Sequence, residues 1–309
     1  MHPRQVKRIL LYILFAFLVA SFLLNSNLFN FYSFKSNSLI PKIIHQTYKT
    51  SIINEIDCYK QPWIKSWMKL NPDYSHIIWN DDSMKSVVDS EFSRDIQLAY
   101  EKLPFIVQKT DYFRYLILSR YGGVYSDIDT TCLTRIDNWG KGFSKFNVIV
   151  GLEWDRIDNI PASSLYFQKI QIQQWTIATT PNHKLMLDFI KSLTNVILSS
   201  DSNTLKNRSK IIAMTGPEAF TIAVDEYIKT FNKSLEEMHS SKRSIQFGDV
   251  IVHTETAFNT WGPHSDYLHG ESSRALVQHH YSGEWKNEDG VLLWLRKYFA
   301  DNFCLWLYI

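Results

Sequence analysis

Between Lys109 and Thr131 the chain reads KTDYFRYLILSRYGGVYSDIDTT, and this stretch restricts the fold more than any other. Thr110–Arg120 reads as a helix, and Tyr112, Phe113, Tyr115, Leu116, Ile117 and Leu118 make it apolar nearly all round. A helix without a polar face belongs in an interior. Gly122-Gly123 stops it and lets the chain reverse, because glycine adopts backbone angles that a Cβ forbids. Val124–Ile128 then reads as a strand. A buried helix that turns straight into a strand calls for a layered α/β fold. Asp111 and Arg114 lie three residues apart and share one helix face. On a surface such a pair is worth little, but among apolar neighbours an acid and a base point to a site. In a strand, Asp127 and Asp129 would face one side and Ile128 the other, which places two carboxylates at the strand's carboxyl end. Hard oxygens so placed suit Mg²⁺ or Mn²⁺. Taken alone, Asp-x-Asp is weak and fits a polar turn equally well. The weight lies in the composite of helix pair, Gly-Gly break and aromatic-x-Asp-x-Asp.

The rest of the body repeats the alternation. Lys42–Gln46 reads as a buried first strand, and Trp63, Trp67 and Leu70 fall on one helix face. After the Asn71-Pro72-Asp73 turn, Ser75–Trp79 is a strand and 83–101 a helix. Asn147–Leu152 and a stretch within Lys169–Thr179 are strands, and Pro181 opens a helix to about Leu198. This order predicts a single α/β domain over 40–309 with a mixed, mostly parallel sheet. No GxGxxG follows the first strand and no GxxxxGK[ST] occurs, which demotes dinucleotide and P-loop readings.

Ile9–Leu24 carries no charged residue, and Arg4, Lys7 and Arg8 precede it. The pattern predicts a cytosolic tail over 1–8, an uncleaved transmembrane signal anchor over 9–27, a stem over 28–39 and a luminal body. Bulky residues after Ala20-Ser21 argue against a cleaved leader. The sequons at Asn207 and Asn232 agree with a lumen. The C-terminal Leu292–Ile309 carries Arg296, Lys297 and Asp301 and reads as a docked amphipathic helix. Net charge is +2, so no basic face for nucleic acid is expected. Three cysteines, Cys58, Cys132 and Cys304, allow one pair and no disulfide scaffold. Aromatic residues reach 15%, which suits a core of large rings and also packing on sugar C–H faces.

With Ile40–Lys49 (IPKIIHQTYK) upstream, the composite resembles glycosyltransferase family 32. Gln173–Ile177 (QQWTI), Met214–Pro217 (MTGP) and His279–Lys286 (HHYSGEWK) resemble its fungal initiation-specific α-1,6-mannosyltransferase branch. The resemblance implies a GT-A fold, a nucleotide-sugar donor (GDP-mannose in the branch), Mn²⁺ or Mg²⁺, and retaining transfer to a glycan or glycolipid acceptor at a Golgi or ER membrane. It also implies roles for matching residues. Asp127 and Asp129 would hold metal and diphosphate; Asp111 and Arg114 would grip the hexose; Gln46, Thr47, Tyr125 and Trp285 would bind the donor. A late histidine would complete the metal shell, and the resemblance leaves His279 and His280 both open. His253 and His264 read as structural or solvent-exposed. The chain is shorter than the branch between Trp175 and Gly216 and differs over Ile251–His264, which leaves the acceptor open. An inositol-phosphoceramide mannosyltransferase is the rival within the family. A non-catalytic subunit in a complex with other glycosyltransferases is the rival outside it, and the intact Asp111, Arg114, Asp127 and Asp129 set argues against that rival.

Overall fold

The computed structural model describes residues 40–155, 169–207, 210–241, 243–259 and 275–283. The expected anchor and stem, His264, Trp285, Cys304 and the Leu292–Ile309 helix lie outside them. Among the described residues no helix is long and apolar enough to cross a membrane.

Ten strands form two sheets among the described residues. They are β1 (Ile43–Thr47), β2 (Ser75–Trp79), β3 (Gly123–Ser126), β4 (Thr130–Cys132), β5 (Val148–Asp155), β6 (Ile170–Ile172), β7 (Thr176–Thr179), β8 (Ile245–Phe247), β9 (Val250–His253) and β10 (Val277–His279). The large sheet runs β2-β1-β3-β7-β5-β9-β8, with β6 paired to β5; β10 and β4 form a small ribbon. The α/β layering agrees with the sequence, but the parallel bias does not. β1 runs parallel to β2 and β3, and β5 to β9. The β3–β7, β7–β5, β5–β6, β8–β9 and β10–β4 pairs are antiparallel. The cause is β7, which wedges between β3 and β5 and opposes both. An antiparallel neighbour presents its entry, rather than its exit, to the carboxyl end of β3. Accordingly the backbone N–H of Asp127 donates to the carbonyl of Trp175 at 2.8 Å.

The helices that matter for the site are α1 (Gln61–Leu70), α2 (Asp81–Glu91), α3 (Arg94–Lys102) and α4 (Ile106–Tyr121). The single helix expected over 83–101 is two, because Phe92 and Ser93 are extended and the Gln97 amide donates to the carbonyls of Asp89 and Phe92, each at 2.9 Å. α4 is buried from Asp111 to Ser119. Tyr112, Phe113, Leu116, Ile117 and Leu118 are fully buried, each side chain contributing about 1.5–3 kcal/mol. Gly122 and Gly123 then take φ of +64° and +91°, and a Cβ on Gly123 would meet the Ile43 carbonyl oxygen at 2.5 Å. Only glycine fits here, for both conformation and space. His45 of β1 fastens this turn: its Nε2–H donates to the Gly122 carbonyl at 3.0 Å while Nδ1 accepts from the Trp79 indole at 3.2 Å.

Two boundaries differ from the sequence reading. The helix expected from Pro181 begins at Lys184 (α5, Lys184–Ser199), since Asn182 has φ +55° and His183 caps it, Nδ1 accepting from the Leu185 N–H at 3.3 Å. β3 ends at Ser126, so Asp127-Ile128-Asp129 is a turn into β4 and not a strand end.

Candidate active site

Around the carboxyl ends of β1 and β3 opens a cleft of about 620 Å³, within the usual size of a small-molecule site. Its first wall comes from α4. Asp111 and Arg114 are almost fully buried and paired at 2.7 Å. The second guanidinium nitrogen of Arg114 reaches Asp127 Oδ1 at 3.0 Å, and the guanidinium lies 4.9 Å from the Tyr125 ring centroid. Gln174 donates to Asp111 Oδ1 and Thr215 to Oδ2, each at 3.0 Å. Burial pushes the Asp111 carboxyl up to about 6, with Arg114 opposing it. Among the described residues three donors occupy three of the four lone-pair sites of Asp111, so Oδ2 can still accept from a hydroxyl.

The second wall is the Asp127–Asp129 turn. The Thr130 hydroxyl closes it by donating to the Asp127 carbonyl at 2.6 Å. Ile128 packs with Tyr48, Ile56 and Ile64, so the two carboxylates are aimed by the turn and by Ile128's apolar seat, not by strand alternation. One ligand atom each from Asp127, Asp129 and His279 lies within 4.8 Å of the others. His279 Nε2 is 3.3 Å from Asp129 Oδ1, and Ser282 donates to Asp129 Oδ2 from its N–H (2.9 Å) and its hydroxyl (2.8 Å). Burial works against the Asp129 anion, yet His279 and Ser282 hold its carboxyl well below the usual range. Burial raises Asp127, Arg114 opposes that, and the Asp129 charge adds to it. Burial would lower His279, but the Asp129 carboxylate outweighs it and the imidazolium is favoured. Two hard carboxylates and one imidazole in one concave corner fit a divalent cation. Two buried nitrogens on these walls, Arg114 Nε and His279 Nδ1, have no hydrogen-bond partner among the described residues.

The structure separates the two late histidines. His279 stacks on Trp175 with centroids 4.5 Å apart. His280, the next residue, faces the other way, as neighbours on extended chain do. Its Nε2 meets the Thr131 hydroxyl at 2.8 Å and its ring stacks on Trp63 at 4.0 Å, outside the Asp127–Asp129–His279 cluster. Burial pushes it down to about 4. Its assignment as a ligand is therefore corrected.

Two expected donor-binding residues stand behind the wall. Gln46 is fully buried; its amide donates to the Asp127 carbonyl at 3.2 Å and accepts from His76 at 2.7 Å. Tyr125 is fully buried, with its hydroxyl donating to Asp127 Oδ1 at 2.8 Å. Neither lines the cleft; both hold the carboxylate turn. Thr47 does line it and touches the Tyr125 hydroxyl at 2.9 Å. The Gly216-Pro217 loop lies on the cleft, with Pro217 opening α8 (Pro217–Lys229, preceded by α6, Ser202–Lys206, and α7, Ile211–Met214). His253 is structural: it is buried, bonds Ser244 and the Trp139 carbonyl, and is pushed down to about 4 by burial. Sequence reasoning missed Glu153 and Gln171, isolated polar residues without a local pattern, and gave Ser282 no role although it lies within the HHYSGEWK stretch. Cys58 is disulfide-bonded, whereas Cys132 is a free buried thiol.

The family described as "glycosyltransferase sugar-binding region containing DXD motif" matches residues 58–144. An initiation-specific alpha-1,6-mannosyltransferase of Schizosaccharomyces pombe is 33% identical over 261 residues, covering 81% of this chain and 64% of that protein. The Candida albicans enzyme of the same name is 30% identical over 288 residues, covering 81% and 73%. A mannosyl phosphorylinositol ceramide synthase of Saccharomyces cerevisiae is 28% identical over 224 residues, covering 72% and 51%. The chain thus spans roughly half to three-quarters of the length of these relatives.

Proposed function

The chain belongs to glycosyltransferase family 32, and from that membership we propose that it moves a hexose, mannose from GDP-mannose, with retention onto a glycan acceptor. The observation that carries the reading is the meeting of two walls in one cleft, joined by Arg114 and Asp127 at 3.0 Å: the Asp111–Arg114 pair, and the Asp127–Asp129–His279 corner. The frame is a GT-A type fold. Mn²⁺ (or Mg²⁺) would be held by Asp127, Asp129 and His279, where it supplies counter-charge to the departing diphosphate. Asp111 accepts a hexose hydroxyl on Oδ2. Gln174 and Thr215 keep that carboxylate from rotating, which is the positional share of catalysis. Arg114 holds Asp111 and Asp127 at a set separation and offers Nε to the donor. The C1–O bond to the diphosphate breaks with its electron pair staying on the phosphate oxygen. The acceptor oxygen bonds C1 from the same face, and its proton passes to that phosphate.

The similarity to initiation-specific alpha-1,6-mannosyltransferases favours alpha-1,6-mannosyl transfer in protein N-glycosylation, by a single-pass Golgi or ER protein whose catalytic body is luminal. The exposed Asn232 of the Asn-Lys-Ser sequon, in a turn at φ +57°, agrees with a lumen. The ceramide-synthase similarity over 72% of the chain supports a second acceptor, inositol phosphoceramide. A panel of nucleotide sugars with Mn²⁺, read as donor hydrolysis and as transfer to either acceptor, tests the proposal. Turnover of GDP-mannose supports it; no turnover of any nucleotide sugar leaves the chain a non-catalytic subunit.

A further inference from the structure

Glu153 occupies a built position that the donor chemistry does not use. β5 pairs with β6 so that Leu152 faces Ile172 and Trp154 faces Gln171, and the register slips between them. Glu153 is therefore the extra residue of a bulge. Bulges bend a strand and re-aim a side chain, and they recur beside active sites. Glu153 lies on the cleft wall together with Trp154, Gln171, Trp175 and Tyr281. Two side chains with almost no exposure hold it: Gln171 donates to its Oε2 at 2.7 Å, and Asn259 donates to its carbonyl at 3.1 Å. Asn259 in turn accepts from the Tyr281 hydroxyl, and the Tyr281 ring lies 4.1 Å from His279. Tyr281 has φ +49°, a conformation that costs a non-glycine residue about 1–3 kcal/mol and persists where the surroundings impose it.

The two ends of the cleft differ in chemistry. At the β1 end stand Lys49, Asp81, Thr110 and the apolar Met84, Ile106 and Val107, which suit a base and its ribose hydroxyls. At the β5 end stand a carboxylate, an amide and three large rings, which suit a neutral sugar: rings pack on C–H faces and carboxylates accept from hydroxyls. We propose that the β5 end is the acceptor subsite and that Glu153 is its acceptor-binding residue, accepting a hydrogen bond from a hydroxyl of the incoming sugar. The assignment rests on the donor reading above and adds to it the place and polarity of the acceptor.

The test uses the full chain, GDP-mannose, Mn²⁺ and an oligomannose glycan, with released mannose and mannosylated glycan measured separately. Inositol phosphoceramide replaces the glycan where the wild type prefers it. Glu153→Gln is expected to raise the acceptor KM about 10-fold or more, while donor hydrolysis stays within about 2-fold of wild type. Glu153→Asp, which keeps the charge and shortens the reach, is expected to fall between the two and guards against a variant that does not fold. An unchanged acceptor KM in both variants overturns the proposal. So does a parallel loss of hydrolysis and transfer, which would put Glu153 on the donor. A wild-type chain that hydrolyses no nucleotide sugar overturns the donor reading itself, a result distinct from either.

Discussion

The Asp111–Arg114 wall and the Asp127–Asp129–His279 corner are built from the same kinds of side chain, yet they are finished differently. On α4 the acid and base are almost wholly buried and answered from within the protein, by each other, by Gln174 and by Thr215. In the corner two carboxylates and an imidazole crowd together; Asp129 is anchored by Ser282, and Asp127 keeps a quarter of its side chain exposed. The first region is neutralised before any ligand arrives and so acts as a rigid frame. In the second, Arg114 and His279 offset two close carboxylates only in part, and a bound cation would relieve the repulsion that remains. Removing a residue should thus damage stability in the frame and turnover in the corner.

The largest effect expected is in the corner. Asp129→Asn and Asp127→Asn should each lower transfer from GDP-mannose by about 10³-fold or more, and EDTA should do the same to the wild type, reversibly with Mn²⁺. Thermal unfolding of the purified variants is the companion measurement. Full activity in either variant would remove the corner from the mechanism.

Arg114→Ala tests the frame. It leaves Asp111 and Asp127 buried without their shared cation and should cost about 3–5 kcal/mol of unfolding free energy in urea titration. A stability equal to that of Asp129→Asn would erase the contrast between the regions.

Histidines extend the contrast. Among the described residues His45 and His253 are buried without an acid partner, and burial pushes both down to about 4. Folded, each ring binds a proton less readily than in the unfolded chain, where the value is near 6.5. Stability from these rings is complete above about 6.5 and is lost as pH falls from there through about 4, by up to ~3 kcal/mol per ring. Urea midpoints between pH 7 and pH 4.5 should show this fall, and His253→Gln should make it shallower. A flat profile would mean that these rings are hydrated.

The smallest effect separates neighbours. His279→Ala should reduce metal-dependent turnover about 100-fold, and His280→Ala only a few-fold, since His280 touches Thr131 and Trp63 instead of the carboxylates. Titrating activity against Mn²⁺ concentration tells the two variants apart; equal losses would contradict the geometry.

Much of this site could be read from the chain because it is local. The spacing of Asp111 and Arg114 places them together on any helix, and Gly122-Gly123 permits only a tight reversal. Gln46 and Tyr125 are expected from the resemblance to bind the donor. Motif position placed them near the donor, but their hydrogen bonds to Asp127 show that they shape the turn from behind. The break between α2 and α3 was hidden because Phe92 and Ser93 carry neither glycine nor proline, and the Gln97 amide that caps the break has no local signature. Glu153 was invisible for a related reason: a bulge is a property of two paired strands, and neither strand encodes it alone.

The amino-acid sequence by itself determined the α/β class, the buried helix, the reversal after it and the carboxylates that follow, because helix periodicity and glycine's conformational range act over a few residues. Tertiary structure alone decided how those pieces converge. The antiparallel insertion of β7 between β3 and β5 brings Gln174 to Asp111 and Trp175 beside the Asp127 turn. The β10–β4 ribbon selects His279 over His280, some 150 residues from Asp129 in the chain, since a strand shows alternate side chains to opposite sides and pairing fixes which side faces the carboxylates.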